Sequence, residues 1–473
     1  MLFNSIHFIL FLPVVFILYW SIAHKWRWVL LLIASYYFYM SWNPLFGLLL
    51  AGTTLVDYYT ALKISQAENP KIKKRWLLVS VISNLGSLFV FKYSVFFYNS
   101  SVFVVNHFSR SNYMFLEKII IPVGLSFYTF QSLSYTIDVY RGKTKPELNA
   151  ARFALYVSFF PQLVAGPIER LSHLMPQLYE KHKLTIDKLI SGVRIATWGF
   201  FKKLVIADRL ANIVNPVFAD VHSYSGLTLL VIGFFFVVQV YCDFSGYSDI
   251  ATGVARLFGF ELMLNWRRPL LSKSLKEFWT RNHISMTTWF RDYLYISLGG
   301  NRCSYKRWLV NIFLTFLISG LWHGANWTFI IWGAMHGILY VVELMTDKKV
   351  TFLKKFSFFG WIYLVLFHTV SLIAFRANNI HDLQIIYSKI FSFQYNFHLA
   401  FNELRSIHYL FPLLLSVFFI LFLFVKEINE EYAILNRIKG FDRVIRPLFF
   451  VVIFVMIFVF GEFSANEFIY FHF

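Results

Sequence analysis

The stretch "SGLWHGANW", Ser319 to Trp327, closes a strongly apolar run with a histidine, two glycines and an asparagine. A neutral imidazole, with an unperturbed pKa near 6.5, can take a proton from a hydroxyl at physiological pH. His323 is therefore a candidate general base. Its structural reading is a histidine capping a helical hairpin turn. Gly324 after it permits a helix stop and the close approach of another group. His283, in "RNHISMTTWFRDY", is an interfacial histidine at headgroup depth, unless its segment dips inward towards the hairpin carrying His323. His336, in "IIWGAMHGILY", lies 13 residues beyond His323, or ~20 Å along one unbroken helix and on another face. The two cannot chelate. Gly333 and Gly337 frame His336 in a small-xxx-small arrangement, which makes it a packing residue with a polar contact. His368, in "LVLFHTV", reads as a packing or hydrogen-bonded histidine. A further polar cluster, "QVYCDFSGYSDIATGVARLFGF", holds Asp243, Tyr247, Asp249 and Arg256. Asp249 and Arg256 are seven apart, so they share a helix face and are expected to pair, with Asp243 and Tyr247 as candidate cavity-lining groups.

Several other chemistries are missing from the sequence. It has no GxxxxGK[ST], no GxSxG, no HExxH and no Cys/His set for a metal. The two cysteines, Cys242 and Cys303, read as packing residues, so neither a disulfide framework nor a metal site is expected.

These residues sit on elements built for lipid. The chain has 473 residues, 58% hydrophobic, 21% aromatic and 15% charged, outside the usual soluble range. Apolar runs of about 15–25 residues match a ~30 Å hydrocarbon core crossed as helix. They predict an all-α polytopic membrane protein in one domain, 1–473, rather than a barrel. Runs are expected near 7–23, 28–41, 44–62, 76–98, 118–138, 153–165, 187–206, 226–242, 308–323, 327–345, 355–376, 408–425 and 446–463. The "SWNP" turn joins two of them, and "FFPQLVAGPIER" (Phe159 to Arg170) breaks another with two prolines and a glycine. Residues 265–308 mix aromatic pairs with many charges, Arg291 and Asp292 among them, and read as a re-entrant or interfacial segment.

The formal charge of +19 lies in short connections rather than on one soluble face, which argues against nucleic acid. The links with Lys25 and Arg27, with Lys71 to Arg75, and with Arg141 to Arg152 follow odd numbers of crossings. By the positive-inside rule they are cytoplasmic and the N-terminus is outside. The run from Phe8 to Ala23 lacks a basic start and cleavage site, so it is expected to stay as a first helix.

The stretches "LWHGANWTFIIWGAMHG", "DFSGYSDIATGVARLFGFEL", "FWTRNHISMTTWFRDYLYISLGGNR", "IPVGLSFYTFQSLSYTIDVYRG" and "FFPQLVAGPIER" occur in one order along the chain. With the start "MLFNS" and the end "EFIYFHF", they resemble the bacterial membrane-bound O-acyltransferase family. The closest branch is that of alginate O-acetyltransferase membrane subunits, a sister of the D-alanyl transfer proteins of teichoic acids. The resemblance implies about eleven membrane helices with re-entrant pieces around a central funnel, so some of the runs above would not cross. It makes His323 the essential histidine and His283 the second one, although Asn282 stands where a Trp is more usual. It also implies transfer of an acetyl group from a cytoplasmic thioester across the bacterial inner membrane, for O-acetylation of an extracytoplasmic polysaccharide. No permanently bound cofactor is expected, and acetyl-coenzyme A is the implied donor. An acyl carrier protein is the alternative donor, as in D-alanylation. A periplasmic SGNH-type acetyltransferase would be the partner. His283 or Asn326 would stabilise the oxyanion, with Trp322, Asp243 and Tyr247 along the channel. Arg267, Arg268, Lys273 and Lys276 would face the anionic donor. The competing class is a transporter or flippase of a lipid-linked saccharide, against which stand the histidine motifs and the lack of an evident internal repeat.

Overall fold

The computed structural model describes residues 1–109, 114, 116, 119–346, 357–407, 410–434, 441–463 and 468–469. The starts of the expected runs 118–138, 355–376 and 408–425 lie outside these residues, as does most of the "EFIYFHF" end. Among the described residues the structure is helical and contains no strand. Among the described residues six helices are long and apolar enough to cross a membrane: Pro44–Gln66, Pro70–Phe108, Gly226–Leu257, Trp327–Thr346, Phe358–Arg376 and Leu410–Tyr432. Ile6–Ser21 and Pro447–Phe460 are shorter apolar helices. The chain is thus a multi-pass membrane protein. The other expected runs are also helical, but they are shorter, more polar or interrupted. Helices at Ile380–Phe391 and Phe397–Ile407 had no counterpart in the apolar pattern, because their surfaces are mixed.

The chain divides into two compact units, one formed by Met1–Val193 with Ala251–Met263, the other by Arg194–Ile250 with Leu264–His472. In the first unit, Asn43 caps the Pro44–Gln66 helix by accepting from Leu45 N at 2.9 Å, with Pro44 at the first helical position. That is why "SWNP" turns so tightly. Asp57 lies fully buried on this helix and accepts from Ser80 Oγ at 2.6 Å and Asn84 Nδ2 at 2.9 Å. These bonds are what make a carboxylate tolerable at that depth. The run expected at 153–165 stops early, as the nine-residue helix Ala150–Ser158. The broken backbone beyond it is satisfied by protein: Phe160 N donates to Ser35 Oγ at 3.0 Å, and Gln162 and Gln131 both donate to Tyr156 O, at 2.9 and 2.7 Å.

In the second unit the helices Tyr305–His323 and Trp327–Thr346 form a hairpin whose backbones nearly touch. A Cβ on Gly333 would stand 2.5 Å from Phe316 O, and one on Gly320 would stand 2.4 Å from Phe329 O. Only glycine allows that approach. The run expected at 226–242 continues instead as one 32-residue helix, Gly226–Leu257, straight through the polar cluster. Partners for that cluster come from a π-helical segment, Phe201–Ala207, whose wider turn aims two successive lysines inward. Lys202 meets Asp249 at 2.6 Å, and Lys203 meets Asp208 and Asp243, each at 2.8 Å. The expected Asp249–Arg256 pair is therefore corrected. Asp249 belongs to Lys202, and Arg256 pairs with Glu261 at 2.5 Å. Helical spacing gave both residues a shared face but could not show a nearer cation arriving from another helix.

Candidate active site

His323 is the last residue of the Tyr305–His323 helix and is only 6% exposed. Gly324 follows with an extended backbone, φ −160°, so no left-handed turn demands glycine there. Space does, since a Cβ on Gly324 would lie 2.1 Å from the Phe329 ring. The imidazole packs edge-on against Trp332 at 5.0 Å and Phe375 at 5.3 Å between centroids. These two contacts help fix the plane of the ring.

The segment 265–308 carries His283 inward. It runs through the short helices Leu275–Arg281 and Ile284–Trp289 into a π-helical turn, Phe290–Tyr295. His283 joins the first two helices in the left-handed conformation, φ 44°, which a non-glycine residue adopts only when its surroundings over-determine it. Asn265 does that. Its Oδ1 accepts from Ser285 N at 3.2 Å and Ser285 Oγ at 2.9 Å, and stands 3.2 Å from His283 Nδ1. Its backbone O accepts from Ile284 N at 2.8 Å, and its Nδ2 donates to Ser248 Oγ at 3.1 Å. With Oδ1 accepting, Nδ1 of a neutral His283 carries the proton and Nε2 is the basic nitrogen. Arg281 and Arg268 anchor the same segment through Glu431, at 3.0 and 2.8 Å.

His323 and His283 line one cavity of about 70 Å³ within the second unit, walled by Tyr241, Trp266, Phe278, Trp279, Trp332 and Phe375. At ~30 Å³ per water this holds two or three waters, or a group of about the size of an acetyl. His336 and His368 line it as well. The His336 ring stacks at 5.5 Å on His368 and lies 4.6 Å from Trp332, while His368 lies 3.8 Å from Phe278. Both nitrogens of His336, Nε2 of His368 and the indole nitrogens of Trp279 and Trp332 are buried with no protein partner. Buried polar groups are rarely left so unless water or ligand meets them. The packing expected of Gly333 and Gly337 is present, but His336 makes no polar contact across the helices. It faces the cavity. Sequence spacing missed this because it treated residues 323–336 as one straight helix, whereas the chain turns at Gly324 to Asn326.

The remaining expected residues fall elsewhere. Trp322 is buried behind the cavity against Phe290, at 5.9 Å. Asn326 caps the hairpin, accepting from Thr328 N at 3.2 Å and donating to Asn378 O at 2.9 Å. Asp243, besides its pair with Lys203, accepts from Ile469 N at 2.8 Å, and Tyr247 packs on Phe468 at 4.7 Å. Of the basic residues, Arg268 is held by Glu430 and Glu431. Arg267, Lys273 and Lys276 are exposed. Among the described residues no cluster of metal-binding side chains occurs.

Residues 146–381, which include this cavity's histidines, match the model of the membrane-bound O-acyltransferase family. A protein named "Probable alginate O-acetylase AlgI" from Pseudomonas putida is 42% identical over 391 residues, covering 82% of this chain and 80% of its own length. The chain belongs to the membrane-bound O-acyltransferase family. Other relatives are a peptidoglycan O-acetyltransferase of Helicobacter pylori, 35% identical over 81% of this chain and 78% of its own, and a teichoic acid D-alanyltransferase of Bacillus subtilis, 29% identical over 48% of this chain and 60% of its own. The protein is thus an O-acyltransferase, and the D-alanyltransferases are its more distant relatives.

Proposed function

We propose that this O-acyltransferase moves an acetyl group from cytoplasmic acetyl-coenzyme A to the outer side of the bacterial inner membrane, for O-acetylation of a polysaccharide. The carrying observation is the shared cavity of His323 and His283, with room for a two-carbon acyl group. In this reading His323 takes the proton of an acceptor hydroxyl as its oxygen attacks the thioester carbonyl carbon. The C–S bond then breaks, and the imidazolium returns the proton to the leaving thiolate. His283, with Nδ1 occupied by Asn265, presents its basic Nε2 and would accept a hydrogen bond, as from the acceptor hydroxyl, rather than donate one to the oxyanion. A positioned base is worth roughly 10²–10⁴-fold, and the remainder comes from holding the two substrates together and stabilising the oxyanion.

The polysaccharide acceptor is supported by the alginate and peptidoglycan acetylases among the relatives, which carry such acceptors in their names. A periplasmic SGNH-type transferase would complete acetylation of the polymer. The basic links support a reading with the N-terminus outside, and the exposed Arg267, Lys273 and Lys276 suit an anionic donor. The test is label transfer from radiolabelled acetyl-coenzyme A in proteoliposomes, with the intact chain and with His323→Ala. Transfer by the intact chain alone supports the reading. Equal transfer by both removes His323 as base, and transfer only from an acylated carrier protein replaces the donor.

A further inference from the structure

A second pocket, of about 30 Å³, lies wholly within the first unit, where the apolar Ile6–Ser21 helix gives way to the His24–Met40 helix. Three cations line it, Lys25, Arg27 and Arg152. None of the three has a carboxylate within ion-pair distance among the described residues. One carboxylate, the exposed Glu180, shares the lining without pairing with them. The guanidiniums are held by rings rather than by acids. Arg27 lies 4.7 Å from the Trp20 ring and 5.0 Å from Tyr19, and donates to His182 O at 3.0 Å. Arg152 lies 3.8 Å from Tyr179 and 5.3 Å from Trp28. The Nε of both arginines is buried without a partner.

Such stacking fixes the planar forks and leaves their donors for an oxyanion, which is how arginine recognises phosphate. The surroundings are those of a bilayer boundary. Aromatic rings cluster at the helix junction, and Ile17, Leu18 and Trp26 beside it are 62%, 44% and 57% exposed, a surface for acyl chains. We propose that this pocket binds the phosphate of an anionic lipid headgroup, in the cytoplasmic leaflet if the orientation given above holds. Basic pockets between membrane helices take such headgroups through charge and hydrogen bonding together. A soluble phosphate compound would present the same chemistry to the arginines but would leave the apolar flank uncovered.

The test uses the full chain in detergent, with native mass spectrometry and thermal melts after addition of palmitoyl-oleoyl-phosphatidylglycerol, palmitoyl-oleoyl-phosphatidylcholine, inorganic phosphate or coenzyme A. Phosphatidylglycerol is expected to bind about tenfold more tightly than phosphatidylcholine, and to lose that advantage in Arg27→Gln/Arg152→Gln. Lys25→Gln, at an exposed position, gives a folded control with a loss of about two- to threefold. Equal binding of the two lipids, or phosphatidylglycerol binding unchanged in both variants, overturns the proposal. Arginine-dependent binding of inorganic phosphate or coenzyme A that displaces phosphatidylglycerol overturns the lipid source and assigns the pocket to a soluble phosphate.

Discussion

Replacing His323 by alanine removes the proposed base together with a buried ring that touches Trp332 and Phe375. Transfer should therefore fall by at least about 10²-fold while the melting midpoint in detergent stays close to that of the parent. A parent-like rate would exclude it as base. His336 belongs to the same prediction, since its ring nitrogens face the cavity and meet no protein group. His336→Phe keeps the volume and the stacking on Trp332, and should lower transfer about tenfold with little loss of stability. Full activity in that variant would return His336 to a packing role. The sequence made His323 and His283 legible through their motifs. It could not do so for His336 and His368, because Trp279 and Phe278, two of the rings that gather them, come from an element distant in the chain.

Among the elements, the hairpin of Tyr305–His323 and Trp327–Thr346 is the most sharply constrained, through its glycines. Gly333→Leu would drive a side chain into the Phe316 carbonyl, and overpacking of this kind costs about 1–3 kcal/mol. The expected result is a lowered melting midpoint with loss of transfer, because His323 and His336 ride on the two helices. The π-helical segment Phe201–Ala207 makes a different prediction. Lys203→Met leaves Asp208 and Asp243 facing each other without their cation, and breaking a buried pair in this way costs about 3–5 kcal/mol. Unaltered melting would show that those carboxylates are neutral. Small-xxx-small spacing announced the hairpin in advance, since it depends on residues within one short stretch. Nothing local announced that Lys202 and Lys203 would both turn inward, because a 3.6-residue period places neighbours on different faces and only the wider turn reconciles them.

At the scale of the whole molecule, composition was enough for a helical membrane protein, but apolar length alone overstated the crossings. The run at 153–165 is apolar without being a long helix, and its freed backbone groups find Ser35, Gln131 and Gln162 instead of lipid. The orientation remains a prediction from charge. Lys143→Cys, in a Cys303→Ser background so that only the buried Cys242 remains, should react with a membrane-impermeant maleimide in inverted vesicles but not in intact cells. Labelling in intact cells would reverse the topology.

One consequence concerns how losses of function at His283 are to be interpreted. Its backbone sits at φ 44°, a conformation that asparagine adopts far more readily than alanine. His283→Ala thus removes an imidazole and also penalises the local chain geometry, so inactivity in that variant reads two changes at once. His283→Asn separates them. The tie to Asn265 and the bend between the two short helices would survive, and any remaining deficit would belong to the ring alone.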